Sequence, residues 1–460
     1  MNRYGSVLTA CLFFVLVGRA HAVEPPATPR DVAFVGARVI PMTGERVIDD
    51  ATVLVSDGVI RAMGAAKSIA VPKGARVIEA RGKFLLPGLG EMHAHVPSGP
   101  TPPYSVDDVL FLWVANGVTV ARSMLGAPEH LPLRADLTAQ RVLGPRLITA
   151  GPSLNGNSVK SPEDGARMVR EQKAAGYDFL KLHPGLSRES FLAIAHTARE
   201  VGITFGGHVS QAVGLQLTLE EGQRAVDHLD GYLLALVPPA AREGENPDNA
   251  GLVLKFEPAL LPEVVRMTRA AGTWVVPTET LYENMLGPDP AAQLEARPEL
   301  RYVPRVLRER WASTKRSIVE SPGGVTPEFG QRYVNTRRQI IRALHEGGVG
   351  ILLGSDAPQV YNVPGFAVHR ELQAMVASGL TPYEALLTAT AAPAEFFGAS
   401  GAYGTIVVGA DADLVLLKND PLQDIANTQS IEGVMVRGRW LDRTYLDRGL
   451  QEIEKRMAGQ

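Results

Sequence analysis

The chain has 460 residues, with 49 Asp and Glu against 46 Lys and Arg and a formal net charge of -3 when histidine is neutral. This length is enough for one large domain plus a smaller one, with a substantial buried core. Acidic and basic residues are mixed along the chain, so there is no basic stripe of the kind that binds a phosphate backbone, and nucleic acid is excluded as an expected partner.

Residues 1–22 are predicted to form a secretory signal peptide. Arg3 supplies the positive charge, an apolar run extends from Val7 to Val17, and Ala-His-Ala at residues 20–22 matches a cleavage site. The apolar run is shorter than the ~20 residues that span a bilayer. Cys11 lies inside the run rather than after it, which argues against a lipoprotein signal. We therefore expect a periplasmic or secreted protein without a membrane span.

Cleavage of this signal would also remove the only cysteine of the chain. The mature protein would then have neither disulfides nor cysteine catalysis. Any metal ion must be bound by histidine, by carboxylates or by a modified lysine, and these ligands suit Zn²⁺ and similar divalent ions.

Both ends of the mature chain contain short β-rich runs. Ala51–Met63 holds two such runs joined by Asp57-Gly58, a turn typical of two-residue hairpins. Similar runs occur at residues 404–417, including Ile406–Val408, and at residues 433–441. This shared character predicts one small β-sandwich domain built from residues 23–84 and 399–460, with residues 85–398 between them as a central domain.

In the central domain, short apolar or β-branched runs alternate with helical patterns, as in βα units with a parallel sheet. Eight such units predict an α/β fold with a (β/α)8 TIM-like barrel. Thr381-Pro382-Tyr383-Glu384 then predicts the start of a helix with a capping box. The predicted strands are Leu85–His95, Val118–Arg122, Leu147–Ala150, Phe179–His183, Ile203–His208, Ala225–Leu229, Trp274–Thr278 and Gly350–Asp356.

Metal-ligand residues lie at the carboxyl ends of several predicted strands, where the active sites of such barrels are found. The first strand ends in His93-Ala94-His95. Histidines at positions i and i+2 of an extended segment project to the same side, as two ligands of one ion must. His-x-His is a weak pattern by itself, but its position after a strand and a Pro-Gly turn strengthens the prediction.

Three further strands carry a lysine or a histidine near their ends. Lys181 lies in an apolar strand, where a lysine is costly to bury unless it is paired or modified; a lysine that snorkels at the rim is equally compatible with the pattern. His208 follows two glycines, which allow close approach of another group. His228 ends the next strand. Each histidine alone fits an ordinary core residue, whereas their positions on successive strands favour metal binding.

Asp356 directly follows an apolar strand and needs a positive partner if it is buried. The alternative is that Ser355 or Asp356 caps a helix in the region of residues 364–379. A cap would account for one of these residues but not for the other predicted ligands. A metal ion would account for all of them.

Together these motifs resemble the amidohydrolase superfamily, in particular its secreted imidazolonepropionase-like and dipeptidase-like members. The resemblance implies a binuclear centre, usually of two zinc ions. One ion would be held by His93, His95 and Asp356. The other would be held by His208 and His228, and Lys181, carboxylated on its side-chain nitrogen, would join the two. The resemblance covers nearly all of the mature chain and rests on Leu86-Pro87-Gly88-Leu89 before the His-x-His motif, Phe179-Leu180-Lys181, Gly207-His208, Asp227-His228, Gly354-Ser355-Asp356 and residues 409–414.

The implied activity is that of a metal-dependent hydrolase, which uses metal-bound hydroxide to cleave an amide-like C–N bond of a small molecule. Asp356 would act as the general acid and base. The substrate would be a dipeptide, an N-acyl amino acid or a cyclic amide. Leu182-His183-Pro184 stands where many dipeptidase-like relatives have Ser-Gly-Gly, so a dipeptide is not favoured over the others.

His183 and Tyr232 are the predicted substrate-binding residues, since they follow strand ends, although packing roles are equally compatible. His369 is predicted to be structural. Three alternatives remain open: a lactonase or deaminase with the same centre, a mononuclear enzyme with unmodified Lys181, and a non-catalytic, metal-stabilised binding protein of the cell envelope. The sequence leaves open whether the chain forms a homo-oligomer.

Overall fold

The structure is a computed structural model that describes residues 26–27, 29–99, 104–242, 244–246, 249–321 and 324–459. The predicted signal peptide, with Cys11, lies outside these residues. Within them, no helix combines the length and the apolar character that crossing a bilayer requires.

The strands of the described chain are β1 Asp31–Val39, β2 Ile48–Ser56, β3 Val59–Ala65, β4 Arg76–Glu79, β5 Phe84–Pro87, β6 Leu89–Ala94, β7 Val118–Ser123, β8 Arg146–Thr149, β9 Phe179–Leu182, β10 Thr204–Gly207, β11 Ala225–Asp227, β12 Trp274–Val276, β13 Leu414–Leu417, β14 Ile431–Val436 and β15 Arg439–Asp442.

The α-helices are α1 Val106–Ala115, α2 His130–Thr138, α3 Pro162–Ala175, α4 Arg188–Val201, α5 Gly214–Glu220, α6 Tyr232–Ala235, α7 Leu261–Ala271, α8 Glu279–Leu286, α9 Ala291–Glu295, α10 Arg305–Glu320, α11 Pro327–Glu346, α12 Phe366–Ala377, α13 Pro382–Ala389, α14 Ala391–Phe396 and α15 Arg443–Ala458. Short 3₁₀ helices occur at Pro239–Ala241, Ala250–Leu254, Pro258–Leu260, Pro298–Tyr302 and Ile425–Gln429.

Strands from both ends of the chain form one eight-stranded sheet, in the order β15-β14-β13-β5-β1-β2-β3 with β4 paired to β1. The predicted hairpin is confirmed: β2 and β3 pair across Asp57 and Gly58, and both turn residues have positive φ. The predicted strand at Ile406–Val408 is wrong, because this segment forms no ladder and Val408 is 64% exposed. The two chain ends therefore pair in a sheet, while a sandwich and the domain boundaries stay predictions.

The chain passes from this sheet into the central domain at Gly88. The prediction of one continuous strand from Leu85 to His95 is wrong, since β5 ends at Pro87 and β6 begins at Leu89. Gly88 N donates to Asp413 O at 2.8 Å, whereas Leu89 N donates to Gly117 O at 2.8 Å. Two neighbouring residues thus pair with different parts of the chain, Gly88 near β13 and Leu89 near β7. A Cβ atom at Gly88 would lie 2.1 Å from Thr119 Oγ1, so a glycine is required for this crossing.

The central domain has a TIM-barrel-like α/β arrangement. Its parallel strands form two groups, β6-β7-β8 and β12-β11-β10-β9. Isolated parallel bridges join Ala150 to Phe179, Val275 to Ile351, and Ala94 to Ala357. The eighth predicted strand, Gly350–Asp356, is therefore wrong as a strand: Ile351 makes a single bridge to β12, and the bridge to β6 is made by Ala357, one residue beyond it. The central strands do not form one continuous sheet.

Two predicted helix starts have opposite outcomes. The capping box of α13 is confirmed: Thr381 Oγ1 accepts from Glu384 N at 3.2 Å, and Glu384 Oε2 accepts from Thr381 N at 2.8 Å. By contrast, α12 begins at Phe366 after Gly365. The helix-cap alternative for Asp356 is therefore wrong, and its carboxylate is available for other contacts.

Candidate metal centre

The six predicted ligands lie on or directly after segments that are joined by parallel pairing, and they come together in space. The first group is His93, His95 and Asp356, whose ligand atoms all lie within 4.8 Å of one another. His95 Nε2 is 2.6 Å from Asp356 Oδ1, and His93 Nε2 is 3.6 Å from the same oxygen. Asp356 N donates to His93 O at 2.9 Å, which fixes the two segments to each other.

His208 and His228 form the second group, with ring centroids 4.5 Å apart. The Nδ1 atom of His208 lies 2.7 Å from Asp230 Oδ2. The Nδ1 atom of His228 lies 2.8 Å from Thr278 Oγ1, whose own hydrogen is donated to the preceding carbonyl, so this oxygen accepts from the imidazole. Each Nδ1 atom thus faces an oxygen that can accept a hydrogen bond, and each Nε2 atom is left for a metal ion, as in metal-binding histidines with a supporting partner.

The two groups adjoin each other. The ring centroids of His93 and His228 are 4.6 Å apart, and His228 Nε2 is 3.8 Å from Asp356 Oδ2. These three side chains thus connect both groups in one cluster.

Lys181 lies in β9 beside this cluster and is completely buried. Its Nζ is 3.4 Å from Asp227 Oδ2, which lies 3.2 Å from His93 Nδ1. The alternative of a lysine that snorkels at the rim is therefore wrong. A Cβ atom at Gly207, where φ is 123°, would lie 2.4 Å from Leu182 O and 2.8 Å from Lys181 Cδ. The close approach that the sequence predicted at this glycine is thus confirmed.

The protonation states favoured in this cluster suit metal binding. Burial lowers the pKa values of His93, His228 and Lys181, which favours their neutral forms. For Asp356, burial alone would raise the pKa, but the nearby His93 and His95 lower it to about 2. Neutral imidazoles next to an ionised carboxylate are the forms that bind divalent ions.

The residues present fit a divalent metal centre. Four imidazoles and a carboxylate converge, which is the donor chemistry of zinc sites in proteins that lack cysteine ligands. In addition, Asp227 Oδ1 and His183 Nδ1 are buried and have no hydrogen-bond partner among the described residues. Polar atoms of this kind are rare in a finished core, and a ligand or ion commonly accounts for them.

His183 lies at the edge of the cluster. It directly follows β9, and its ring stacks on that of His208, with centroids 4.9 Å apart and an angle of 26° between the planes. Burial lowers its pKa to about 3, so its ring is neutral. The structure therefore brings this predicted substrate-binding residue next to the candidate ligands.

The prediction for Tyr232 is wrong. Its side chain is fully buried in α6, and its hydroxyl lies 3.0 Å from Thr268 Oγ1 on α7. With its polar atom paired inside the core, it is not placed to bind a substrate. His369 is buried in α12 with Nδ1 3.0 Å from Thr428 Oγ1, in agreement with a structural role.

Glu91 and Arg122 are buried charged residues near the cluster that were not predicted from the sequence. Glu91 accepts hydrogen bonds from Ser355 N at 2.8 Å and Ser355 Oγ at 2.6 Å, and burial raises its pKa to about 7. Arg122 lies between the rings of Phe179 and Phe396, with Nη1 3.9 Å from Asp227 Oδ1. The available signal was a charged residue inside an apolar strand, the same signal that indicated Lys181.

Comparison with known proteins gives a consistent result. Residues 84–441 match the model of the Amidohydrolase family. An adenine deaminase from Deinococcus deserti is 27% identical over 394 residues, which cover 85% of this chain and 57% of the relative. The chain thus spans little more than half the length of that curated relative.

Solved structures show the same similarity. A bottromycin amidohydrolase has a TM-score of 0.71 and 26% identity, with 93% of this chain and 91% of that chain covered. A candidate prolidase from Bifidobacterium longum has a TM-score of 0.68 and 22% identity, with 93% and 100% covered. Both likenesses support the TIM-barrel-like fold.

Proposed function

The chain belongs to the amidohydrolase family of hydrolases that act on carbon–nitrogen bonds, and we propose that it cleaves an amide-like C–N bond of a small molecule with two divalent metal ions, preferably zinc. The substrate class that we propose is a dipeptide, an N-acyl amino acid or a cyclic amide. The observation that carries this proposal is the convergence of His93, His95 and Asp356 with a second histidine pair, beside a buried lysine.

The two groups of side chains would each hold one ion. His93, His95 and Asp356 would hold the first. His208 and His228 would hold the second through Nε2, because their Nδ1 atoms already have partners. When bound, the ions would polarise the scissile carbonyl group and increase the acidity of a water molecule.

We propose that Lys181 is carboxylated on Nζ and joins the two groups. Its complete burial and its position beside Asp227 support this role, since an unmodified ammonium would be costly there. A carbamate signal in the ¹³C NMR spectrum after incubation with ¹³C-bicarbonate, absent from Lys181→Gln, tests it. A spectrum without this signal would favour the mononuclear alternative.

Asp356 would move the proton. Its Oδ1 accepts a hydrogen bond from Gln359 Nε2 at 2.6 Å and lies 2.6 Å from His95 Nε2, so the carboxylate is held in one orientation. From this position it would take a proton from the attacking water and give it to the leaving nitrogen. His183, at the edge of the cluster, would contact the substrate.

Hydrolytic deamination is the second candidate function. The similarity to an adenine deaminase over 85% of the chain favours it. In this reaction the oxygen of water replaces an exocyclic amino group, which leaves as ammonia. This is also cleavage of a C–N bond, so the same side chains would serve.

A substrate panel separates these functions. The metal-loaded protein is tested against dipeptides, N-acyl amino acids, cyclic amides, adenine and lactones, with and without chelator. We expect metal-dependent turnover in one of the amide classes. Turnover of adenine alone would establish deamination instead, lactone turnover alone would establish a lactonase, and a protein that binds no divalent ion would overturn the proposal.

We also propose that the protein is exported, on the basis of the signal-peptide pattern in residues 1–22. Amino-terminal sequencing of protein recovered from the periplasm or the medium tests this proposal. A mature chain that begins near Val23 is expected, and an uncleaved chain confined to the cytoplasm would refute it.

A further inference from the structure

A buried arginine contacts the main chain of His228. Arg337, on α11, is 1% exposed, and each of its three guanidinium nitrogens donates a hydrogen bond. Nε donates to Glu279 Oε2 at 2.7 Å, Nη1 to His228 O at 3.0 Å, and Nη2 to Pro277 O at 2.8 Å. The ring of Tyr282 covers the guanidinium, with its centroid 3.9 Å from Cζ. Arg337 thus ties two strand ends and one helix together.

The backbone that Arg337 holds has an unusual conformation. His228 has φ 66°, Leu229 has φ 60° and Thr278 has φ 49°, all in the left-handed region. Such conformations are unfavourable for residues other than glycine and persist where the surroundings fix them. For His228, Arg337 fixes the carbonyl group and Thr278 fixes the ring. The direction of Nε2 therefore depends on both contacts.

The arginine is itself anchored. Glu279, its ionic partner, is completely buried, and the amides of Glu279 and Thr280 donate to the carboxylate of Glu371 on α12, each at 2.8 Å. Ion pairs of this kind commonly add little net stability, because removing both charges from water is costly. Stability alone is thus a poor reason for an arginine at this position. Its remaining donors go to main-chain atoms around a candidate metal ligand.

We propose that Arg337 is a positioning residue for the metal centre: it holds the main chain of His228 so that Nε2 points toward the second ion. This inference rests on the proposed function, because it requires His228 to bind metal. Lysine at position 337 would keep the positive charge beside Glu279 but would lose the planar arrangement of donors that reaches both carbonyl groups. Arg337→Lys therefore tests positioning rather than charge.

The experiment measures zinc affinity by competition with a chelator, for the wild type, Arg337→Lys and the matched control Arg338→Lys. Arg338 is the next residue on α11 and pairs with Glu283 in a partly exposed position. Loss of a residue that orients a metal ligand typically costs 10- to 100-fold in affinity. We expect a loss of that size at one ion for Arg337→Lys and no change for Arg338→Lys. Activity of Arg337→Lys should recover as zinc is raised, since the substrate contacts are unchanged.

A double-mutant cycle shows whether the effect passes through His228. If it does, the variant with both Arg337→Lys and His228→Asn should bind zinc no more weakly than His228→Asn alone. Additive losses, or wild-type affinity in Arg337→Lys, would overturn the inference. Should Arg337→Lys fail to fold, Glu279→Gln takes its place, since it keeps both carbonyl contacts of Arg337 but weakens the anchor. A measurable loss of zinc affinity of less than about 10-fold is then expected, and wild-type affinity in this variant would overturn the inference.

Failure of the proposed function gives a different result. A wild-type protein that binds no zinc, or whose affinity is unchanged by His228→Asn, would reject the metal centre itself. A wild-type protein that binds zinc through His228 but is indifferent to Arg337→Lys would reject only the positioning role.

Discussion

Glu91 and Ser355 are joined by two hydrogen bonds that connect the chain segments carrying the first group of ligands. Ser355 N and Oγ donate to the two carboxylate oxygens of Glu91 at 2.8 and 2.6 Å, and both residues are completely buried. His93 follows Glu91 by two residues, and Asp356 follows Ser355 directly. The pair therefore sets the spacing between two candidate ligands that come from distant parts of the sequence.

Replacement of Glu91 by leucine should destabilise the fold. Leucine leaves the amide and hydroxyl of Ser355 buried without their acceptor, and each unpaired donor costs about 1–3 kcal/mol. Urea unfolding of the metal-free protein measures this loss. Glu91→Gln is the milder comparison, since its amide oxygen can accept from Ser355 N and its amide nitrogen can donate to Ser355 Oγ. Equal unfolding free energies for the leucine and glutamine variants would contradict the role of this pair.

Replacement of Asp356 by asparagine should separate chemistry from metal binding. The amide keeps an oxygen for the ion but cannot accept a proton, and general acid–base groups contribute about 10²- to 10⁴-fold to rates. We expect kcat to fall by that factor while bound zinc, measured by elemental analysis, is retained. Asp49→Asn, at a side chain that is 71% exposed, is the control. Near-normal turnover by Asp356→Asn would remove Asp356 from the proton-transfer role.

Removal of metal should lower the thermal midpoint, because only the folded chain brings the ligands together. Binding to the native state alone stabilises it by about 2.7 kcal/mol when free metal is 100 times the dissociation constant. Thermal unfolding with chelator and with graded zinc therefore should show a midpoint that rises with zinc concentration. A variant that combines His93→Asn and His95→Asn should respond much less. A zinc-independent midpoint in the wild type would count against the centre.

The positions of the candidate ligands could be predicted from the sequence because strand ends are local features. A histidine, lysine or aspartate after an apolar run needs only a few neighbouring residues to be recognised, and parallel pairing then brings such ends together. His208, His228 and Asp356 are examples. The break between β5 and β6 was not predictable in this way, since Gly88 is required by contact with Thr119, a residue on another strand.

The supporting residues could not be predicted, because their contacts are distant in sequence. Arg337 lies 109 residues from His228, and an arginine in an amphipathic helix has the pattern of a surface residue. Tyr232 was placed wrongly for a related reason. It follows a strand end, but α6 spans only Tyr232–Ala235, and the sequence does not determine which of its side chains enters the core.

Gly207→Ala should disturb the site far more than a comparable change elsewhere. Its φ is 123°, and the added Cβ would meet Leu182 O at 2.4 Å and Lys181 Cδ at 2.8 Å. Gly202 also has positive φ, at 67°, but nothing lies within 4 Å of its added Cβ. We expect about 1 kcal/mol of destabilisation for Gly202→Ala from backbone strain alone, and a greater loss together with weaker zinc binding for Gly207→Ala. Similar unfolding free energies and zinc affinities for both variants would refute the close packing on Lys181.

His369 should give the protein a defined loss of stability in acid. Burial and the neighbouring Arg370 lower its pKa to about 4, whereas an unfolded histidine titrates near 6.5. Below about pH 6.5 the unfolded chain binds a proton at His369 that the folded chain does not bind. The contribution of the neutral ring to the free energy of unfolding is therefore complete above about pH 6.5 and is lost as the pH falls toward about 4. The lowered pKa of His369 should therefore reduce the free energy of unfolding by about 2 kcal/mol between about pH 7 and pH 5.

Urea unfolding of the wild type and of His369→Asn at pH 7, 6 and 5 isolates this contribution from that of every other titrating group. The variant should be the less stable at pH 7, because it loses packing in α12, and the difference in unfolding free energy should narrow toward pH 5. Parallel pH profiles for the two proteins would show that His369 titrates alike in both states, and they would contradict the neutral, buried ring beside Thr428.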